Sequence, residues 1–265
     1  MLRMKALPLL AMVAMVIFCA PGQAQDAVVW FSFEGSGDIA TDSSGNGNDG
    51  TIVGATRIEG IKGQGIALDK ADTYVDIPVK LEQKATVEFW FKPNWDGNVP
   101  LTYRLFDVGL GGIFWNIGKG IGTEGGVPDP GLHTDKFGLF FEDAADVDYV
   151  MAVPAEGNII AGKWYHLAAV WDFESKMSAF YINGIEVVKW TTGFAGFPII
   201  NETSRIGFNG VSQRPADNGA DGVIDEFAIY HRALSAEEIE MDMLRSAAVE
   251  LSHKLATKWG EIRMR

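Results

Sequence analysis

The stretch that most constrains this chain runs from Ala220 to Ile239 and reads ADGVIDEFAIYHRALSAEEI. Asp221-Gly222 marks a turn, and residues 223–230 then read as a strand whose two alternating sets both carry apolar side chains. A strand that is apolar on both faces has both faces covered, so it lies inside a sandwich. Ser235 opens a helix as its N-cap, and Glu238, three residues on, completes a capping box. Asp225 and Glu226 interrupt the apolar strand as an adjacent pair, which regular alternation would send to opposite faces. A buried carboxylate is costly unless it is paired or bound to a cation. The strand therefore asks for a partner.

The beginning of the chain reads as a leader rather than as part of the fold. Arg3 and Lys5 form a short basic region, residues 7–20 are an apolar run, and Gly22-Gln23-Ala24 supplies small residues before a cleavage point. The run is too short and wrongly flanked for a lasting membrane span. Residues 1–24 are expected to be a signal peptide, which makes the protein secreted or periplasmic. The single cysteine, Cys19, lies in that segment, and Ile17-Phe18 before it argue against a lipoprotein signal. Removing 24 of 265 residues leaves 241 without a cysteine, so stability rests on core size and not on disulfides. The formal charge of −13 becomes −15 without Arg3 and Lys5. That charge excludes nucleic acid and anionic membrane surfaces as natural partners and suits divalent cations.

Glycine supplies 31 of the residues, above the average of roughly 7%, beside eight tryptophans and sixteen phenylalanines. Many turns with many aromatics point to an all-β sandwich or barrel. Residues 28–33 (VVWFSF) begin it, followed by the polar segment 35–50 (GSGDIATDSSGNGNDG). There Asp42, Asn46, Asn48 and Asp49 gather oxygen atoms on a backbone that can curl. Two readings stand side by side: a hard-cation loop, since such ions take six to eight oxygens, or a polar turn without metal. Strand patterns follow at 51–55, 65–69, 73–77 and 85–92, the last placing Val87, Phe89 and Phe91 on one face and Trp90 on the other. Residues 105–108, 112–117, 137–141 and 147–153 continue the pattern around a Gly-, Pro- and Asp-rich surface loop between Lys119 and Lys136. Residues 164–173, 177–182 and 185–190 are clear strands, with Asn183-Gly184 the strongest hairpin signal in the chain. Residues 204–208 lead to the organising strand. A helix is expected from Ala236 to about Leu255, followed by a basic tail.

In order, the segments WFSFEG, DSSGNGNDGTI, GQGIALD, TYVDI, ATVEFWFKP, GKWYHLAAVWD, AFYINGIEV and DGVIDEFAIYHRALSAEEI resemble the LamG-like jelly-roll domain of the concanavalin A-like lectin and glucanase superfamily. The resemblance spans roughly residues 28–240, with the Lys119–Lys136 stretch as a departure. It implies a domain over residues 25–240, with a C-terminal helix and basic tail over 241–265. The fold class it implies is all-β: a two-sheet antiparallel jelly-roll sandwich, six or seven strands per sheet, with a short C-terminal helix. It further implies a structural calcium ion, for which Glu34, Asp42, Asn46, Asn48 and Asp225 are the candidate ligands.

Catalysis is not expected. Glucanases of this architecture place two carboxylates on one strand face in a pattern like E-x-D-x-E, because one must protonate the leaving oxygen while the other attacks or activates water. No such run occurs, and Glu88 stands alone in its strand. His133, His166, His231 and His253 form no metal-ligand spacing, and no G-x-S-x-G elbow is present. The expectation is therefore a non-catalytic module that holds a glycan or glycoprotein surface. Trp95, Tyr103 and Trp115, which lie near loops or in the irregular middle, are the candidates for stacking on sugar faces. The alternative is a protein-interaction or adhesion module of the same fold without sugar specificity.

Overall fold

The structure is a computed structural model that describes residues 26–69, 72–99, 101–108, 115–119, 136–145, 147–152, 159–191, 193, 195–196, 204–207 and 217–247. The expected leader, the stretch between Lys119 and Lys136, and the basic tail lie outside the described residues. Among the described residues seventeen strands follow in chain order. The first six are β1 (Val29–Phe31), β2 (Ile39–Ala40), β3 (Gly50–Val53), β4 (Thr56–Glu59), β5 (Gln64–Leu68) and β6 (Tyr74–Ile77). The middle holds β7 (Lys84–Pro93), β8 (Thr102–Val108), β9 (Trp115–Lys119), β10 (Phe137–Glu142) and β11 (Asp148–Ala152). Then come β12 (Tyr165–Asp172), β13 (Met177–Ile182), β14 (Ile185–Trp190), β15 (Ser204–Gly207), β16 (Asp217–Asn218) and β17 (Gly222–Tyr230). The helix α1 spans residues 236–247.

These strands build two sheets. One has eight strands in the order β14-β13-β12-β7-β17-β5-β4, with β1 added on β17. The other has nine in the order β11-β10-β9-β8-β15-β6-β3-β2, with β16 joined in parallel to β8. The remaining pairings are antiparallel, as a jelly-roll sandwich requires. Each sheet exceeds the expected six or seven strands for a local reason. β2 is only two residues long, too short to show alternation inside a polar segment. β4 (TRIE) is an edge strand with one apolar residue, exposed Ile58, and β5 holds it by pairing. Arg57 secures that edge by donating from Nε to the Phe33 carbonyl at 2.7 Å and from Nη2 to the Ile39 carbonyl at 2.5 Å.

β17 explains its own composition. Ile224, Phe227 and Ile229 enter the core between the sheets, while Ala228 and Tyr230 face outward beneath α1. Phe227 lies 5.8 Å from Phe89 on the neighbouring strand and 5.6 Å from Phe106 on the facing sheet, so it joins both layers. The capping box is formed: Ser235 N–H donates to Glu238 Oε2 at 2.8 Å and Glu238 N–H donates to Ser235 Oγ at 3.3 Å. The Asn183-Gly184 hairpin also forms, both residues in the left-handed region at φ 52° and 76°, as a tight two-residue turn requires.

Adjacent carboxylates do not point to opposite faces. A bulge between Asp225 and Ala228 puts Glu226 at φ 50° and resets the alternation, so that Phe227 can turn inward. Both carboxylates consequently meet Lys62. Asp225 Oδ2 accepts from its backbone N–H at 3.1 Å, and Glu226 Oε1 lies 3.5 Å from its Nζ.

Candidate functional site

The polar segment after β1 is built around the Asp42 carboxylate. Trp30 N–H and Ser44 N–H donate to its Oδ1 at 3.0 and 2.9 Å, and Asn48 N–H donates to Oδ2 at 3.0 Å. Burial opposes its ionisation, but these donors together hold its carboxyl below the ordinary value. Asn46 and Asn48 present their amide nitrogens to main-chain carbonyls. Asn46 Nδ2 donates to Ala27 O at 2.9 Å and Asn48 Nδ2 donates to Val28 O at 2.8 Å. The three side chains thereby pin the loop to β1 and face protein donors and acceptors.

Glu34 and Asp225 meet elsewhere, on the turn between β4 and β5. Glu34 Oε1 accepts from Gln64 N–H at 2.9 Å, and Gln64 Oε1 accepts from Gly35 N–H at 3.0 Å. The turn lies so close that a Cβ on Gly63 would stand 1.8 Å from Glu34 Oε1, and one on Gly60 would stand 2.3 Å from Asp225 Oδ2. Burial pushes the Asp225 carboxyl up to about 8. Burial also raises Glu226, with Lys62 opposing and Glu34 adding to the rise. Two of the five expected calcium ligands, Glu34 and Asp225, thus share a turn with a third carboxylate beside them, whereas Asp42, Asn46 and Asn48 are committed to the other loop. Among the described residues no group of three or more His, Cys, Asp or Glu side chains is disposed to hold a metal ion.

The expected sugar platforms lie in the interior instead. Trp95 follows the end of β7 and folds back over the core, its Nε1 donating to Ala220 O at 3.0 Å. Its ring stacks on Tyr103 at 4.3 Å, with Lys119 Nζ 5.5 Å from its centre. Trp115 packs against Trp171 at 4.3 Å and Phe141 at 5.0 Å. All three are buried in the main core. Proximity to loops misleads here because Trp95 and Tyr103 close one end of the sandwich, and Trp115 faces inward from β9.

The sheet face opposite that core carries a different arrangement. Val75, Ile77, Phe106, Trp115, Ile117 and Ile206 point into the core from β6, β8, β9 and β15. The residues alternating with them stand on the outer face. Strand register aligns five of these into one transverse row: Phe140 opposite Asn116, Asn116 opposite Asp107, Asp107 opposite Arg205, and Arg205 opposite Asp76. Arg205 donates from Nε to Asp76 Oδ1, and its guanidinium sits 4.3 Å from the centre of the Tyr74 ring. Arg104, on the same face, lies 3.8 Å from Asp107.

The row is graded. Asn116 is 0% exposed, whereas the Arg205 and Asp76 side chains are 31% and 36% exposed. Both amide atoms of Asn116 are buried without a hydrogen-bond partner. Leaving such a group unmet costs about 1–3 kcal/mol, and each instance in a folded protein calls for an explanation. The sequence carried part of the signal: Tyr74 and Asp76 alternate with Val75 and Ile77, and Arg205 precedes Ile206. It carried nothing of the register that lines these residues up across five strands.

The description "Concanavalin A-like lectin/glucanases superfamily" matches residues 69–240. The chain belongs to this superfamily. No curated protein matches it in sequence. Among solved structures this superfamily member is similar to domain 4 of AbnA, an extracellular arabinanase from Geobacillus stearothermophilus, solved in complex with arabinotriose. The match has 21% identity and a TM-score of 0.62, and covers 82% of this chain and 98% of that one. It is also similar to the ligand-binding domain of botulinum neurotoxin serotype D in complex with N-acetylneuraminic acid, at 12% identity and a TM-score of 0.62, covering 83% of this chain and 51% of that one. The binding domain of Paraclostridial mosquitocidal protein 1 matches at 17% identity and a TM-score of 0.60, over 83% and 52% of the two chains. The superfamily member spans about half the length of these toxin binding domains. At these identities the likeness shows the shared fold. No described helix is long and apolar enough to cross a membrane.

Proposed function

We propose that this chain is an exported, non-catalytic carbohydrate-binding module whose sugar site is the transverse row on the outer face of the nine-stranded sheet. The observation that carries the reading is the open end of the row, where the partly exposed Arg205 and Asp76 side chains pair beside the Tyr74 ring. A sugar presents hydroxyls that both donate and accept. A guanidinium that donates and a carboxylate that accepts match such a ligand, and Tyr74 adds a ring beside them. The neighbours solved with arabinotriose and with N-acetylneuraminic acid support the ligand class.

A hydrolytic role fits the row poorly. Glycoside hydrolysis needs two carboxyls flanking one bond, and Arg205 stands between Asp107 and Asp76 in strand register. Export rests on the leader-like residues 1–24 and on the cysteine-free remainder. A structural calcium ion would draw on the Glu34 and Asp225 carboxylates at the β4–β5 turn, which accept from the main-chain N–H groups of Gln64 and Lys62, with the remaining oxygens coming from the backbone. It would neutralise charge there and tie β17 to the chain's beginning.

The test is binding of the protein from Gln25 onward to a broad glycan array, with calcium and again with EDTA. Binding in both conditions supports a sugar site independent of metal, and binding lost in EDTA supports a site or fold that needs the ion. Silence in both overturns the sugar reading and leaves a protein-interaction module of the same fold.

A further inference from the structure

The eight-stranded sheet also has an outer face, and α1 covers it. Leu234 and Ile239 pack there on Ala168, Val170, Ala179, Ala228 and Tyr230. The seal is apolar on one side only. Where the second half of α1 crosses β7, β12 and β17, it borders a partly open cavity of about 30 Å³ with several charged side chains in its lining, space for a water molecule rather than a ligand.

The groups facing this cavity come from every element around it. Glu88 stands on β7, His166 on β12, Glu226 and Tyr230 on β17, Asp242 and Arg245 on α1, and Lys62 on the β4–β5 turn. Glu88 is buried, its Oε2 has no hydrogen-bond partner among the described residues, and it faces the same small cavity as Asp242. Burying a charge costs far more than burying the neutral acid, so a carboxyl in this position keeps its proton. Tyr230 Oη donates to Asp242 Oδ2 at 2.8 Å, and Arg245 Nη2 lies 2.6 Å from Asp242 Oδ1. Asp242 thus has partners of its own at the cavity. Burial first, then the charge of Asp242, pushes the Glu88 carboxyl well above its ordinary value.

His166 does not compete for that proton. Its Nε2 is 3.8 Å from Glu88 Oε2, but burial lowers it to about 3, so it remains neutral over the ordinary range. Lys62 is engaged with Glu226 at 3.5 Å, on the far side of the cavity lining. A neutral polar tie also joins sheet and helix: Trp90 Nε1 donates to Ser246 Oγ at 2.7 Å.

We propose that α1 is a proton-dependent latch: it stays docked while the buried Glu88 carboxyl is protonated, and it is released from the sheet as that proton is lost. Deprotonation would leave a buried carboxylate facing Asp242 across a cavity the size of one water molecule, with His166 unable to neutralise it. The sign follows from linkage. Docked Glu88 binds its proton more tightly than undocked Glu88, so docking is strongest below the ordinary carboxyl range. It weakens as pH rises through the raised value, by up to tenfold per pH unit. Release would bare Trp90, His166, Glu88 and Tyr230 on an open sheet face.

Amide hydrogen exchange on the whole protein, corrected for intrinsic rates, tests this directly. Protection of the α1 amides, referred to the β7 and β12 amides of the same sample, should fall tenfold or more between pH 6 and pH 10 in the native chain. Glu88→Gln, which is neutral at every pH, should hold α1 protection constant over that range. Asp242→Asn, which removes the opposing charge from the helix side, should do the same and serves if Glu88→Gln does not fold. Unchanged α1 protection in the native chain up to pH 10 would overturn the proposal. So would an equal fall in both variants.

Discussion

At the scale of single residues, the informative side chains are those whose surroundings contradict their type. Trp95 has the sequence context of a surface aromatic and the environment of a core one, with Phe91, Tyr103 and Phe137 around its ring. Trp95→Ala is therefore expected to cost about 3–5 kcal/mol of stability, as large-to-small core substitutions do, and a urea titration reads it. An altered glycan affinity at unchanged stability would return Trp95 to the surface. The apolar side of β7 was legible because alternation fixes it there: Val87, Phe89 and Phe91 face the core as their spacing requires. The polar site was not legible in the same way. Asn116 and Arg205 lie 89 residues apart in the chain, and only the pairing of β9 with β8 and of β8 with β15 brings them into one row. The Asp225-Glu226 pair misled for a related reason, since one bulged residue reverses the facing of all that follow it.

Among the elements, α1 shows how a local signal and a tertiary one reinforce each other. Its start was readable from Ser235 and Glu238, and both capping bonds are present. The helix is also tied down before it begins, because Thr86 Oγ1 donates to Arg232 O at 2.9 Å and accepts from Leu234 N–H at 3.0 Å. Ser235→Ala should cost about 1 kcal/mol, the usual effect of losing an N-cap hydroxyl, read as a lower thermal midpoint with the sheet signal intact. An unchanged midpoint would mean that Thr86 and the apolar seal fix the helix without the cap. The extra strands β2 and β4 make the complementary point. Their sequences show no apolar period, so pairing with β3 and β5 makes them strands rather than any propensity of their own.

For the molecule as a whole, the sandwich separates scaffold from chemistry. The aromatic interior joins the sheets through Phe227, Phe106, Trp115 and Trp171, and the two outer faces carry the polar groups. One face is the graded row of the nine-stranded sheet, and the other is the proton-bearing seam under α1. The carboxylates of Glu34, Asp225 and Glu226 lie where the first and last strands meet the β4–β5 turn. If calcium binds there, an ion at a thousand times its dissociation constant should raise stability by roughly 4 kcal/mol. A midpoint rise of about 10 °C follows for a domain of this size. Asp225→Asn should remove most of that response, and equal midpoints in calcium and EDTA for the native chain would argue against the ion.

The most direct measurement compares the native chain with Arg205→Ala for affinity toward the strongest ligand found on the glycan array, with thermal stability recorded alongside. The account predicts at least a tenfold loss of affinity, with stability lowered by no more than about 1 kcal/mol, the usual worth of a partly exposed ion pair. Equal affinity in the two proteins would contradict the placement of the sugar site on the outer face of the nine-stranded sheet.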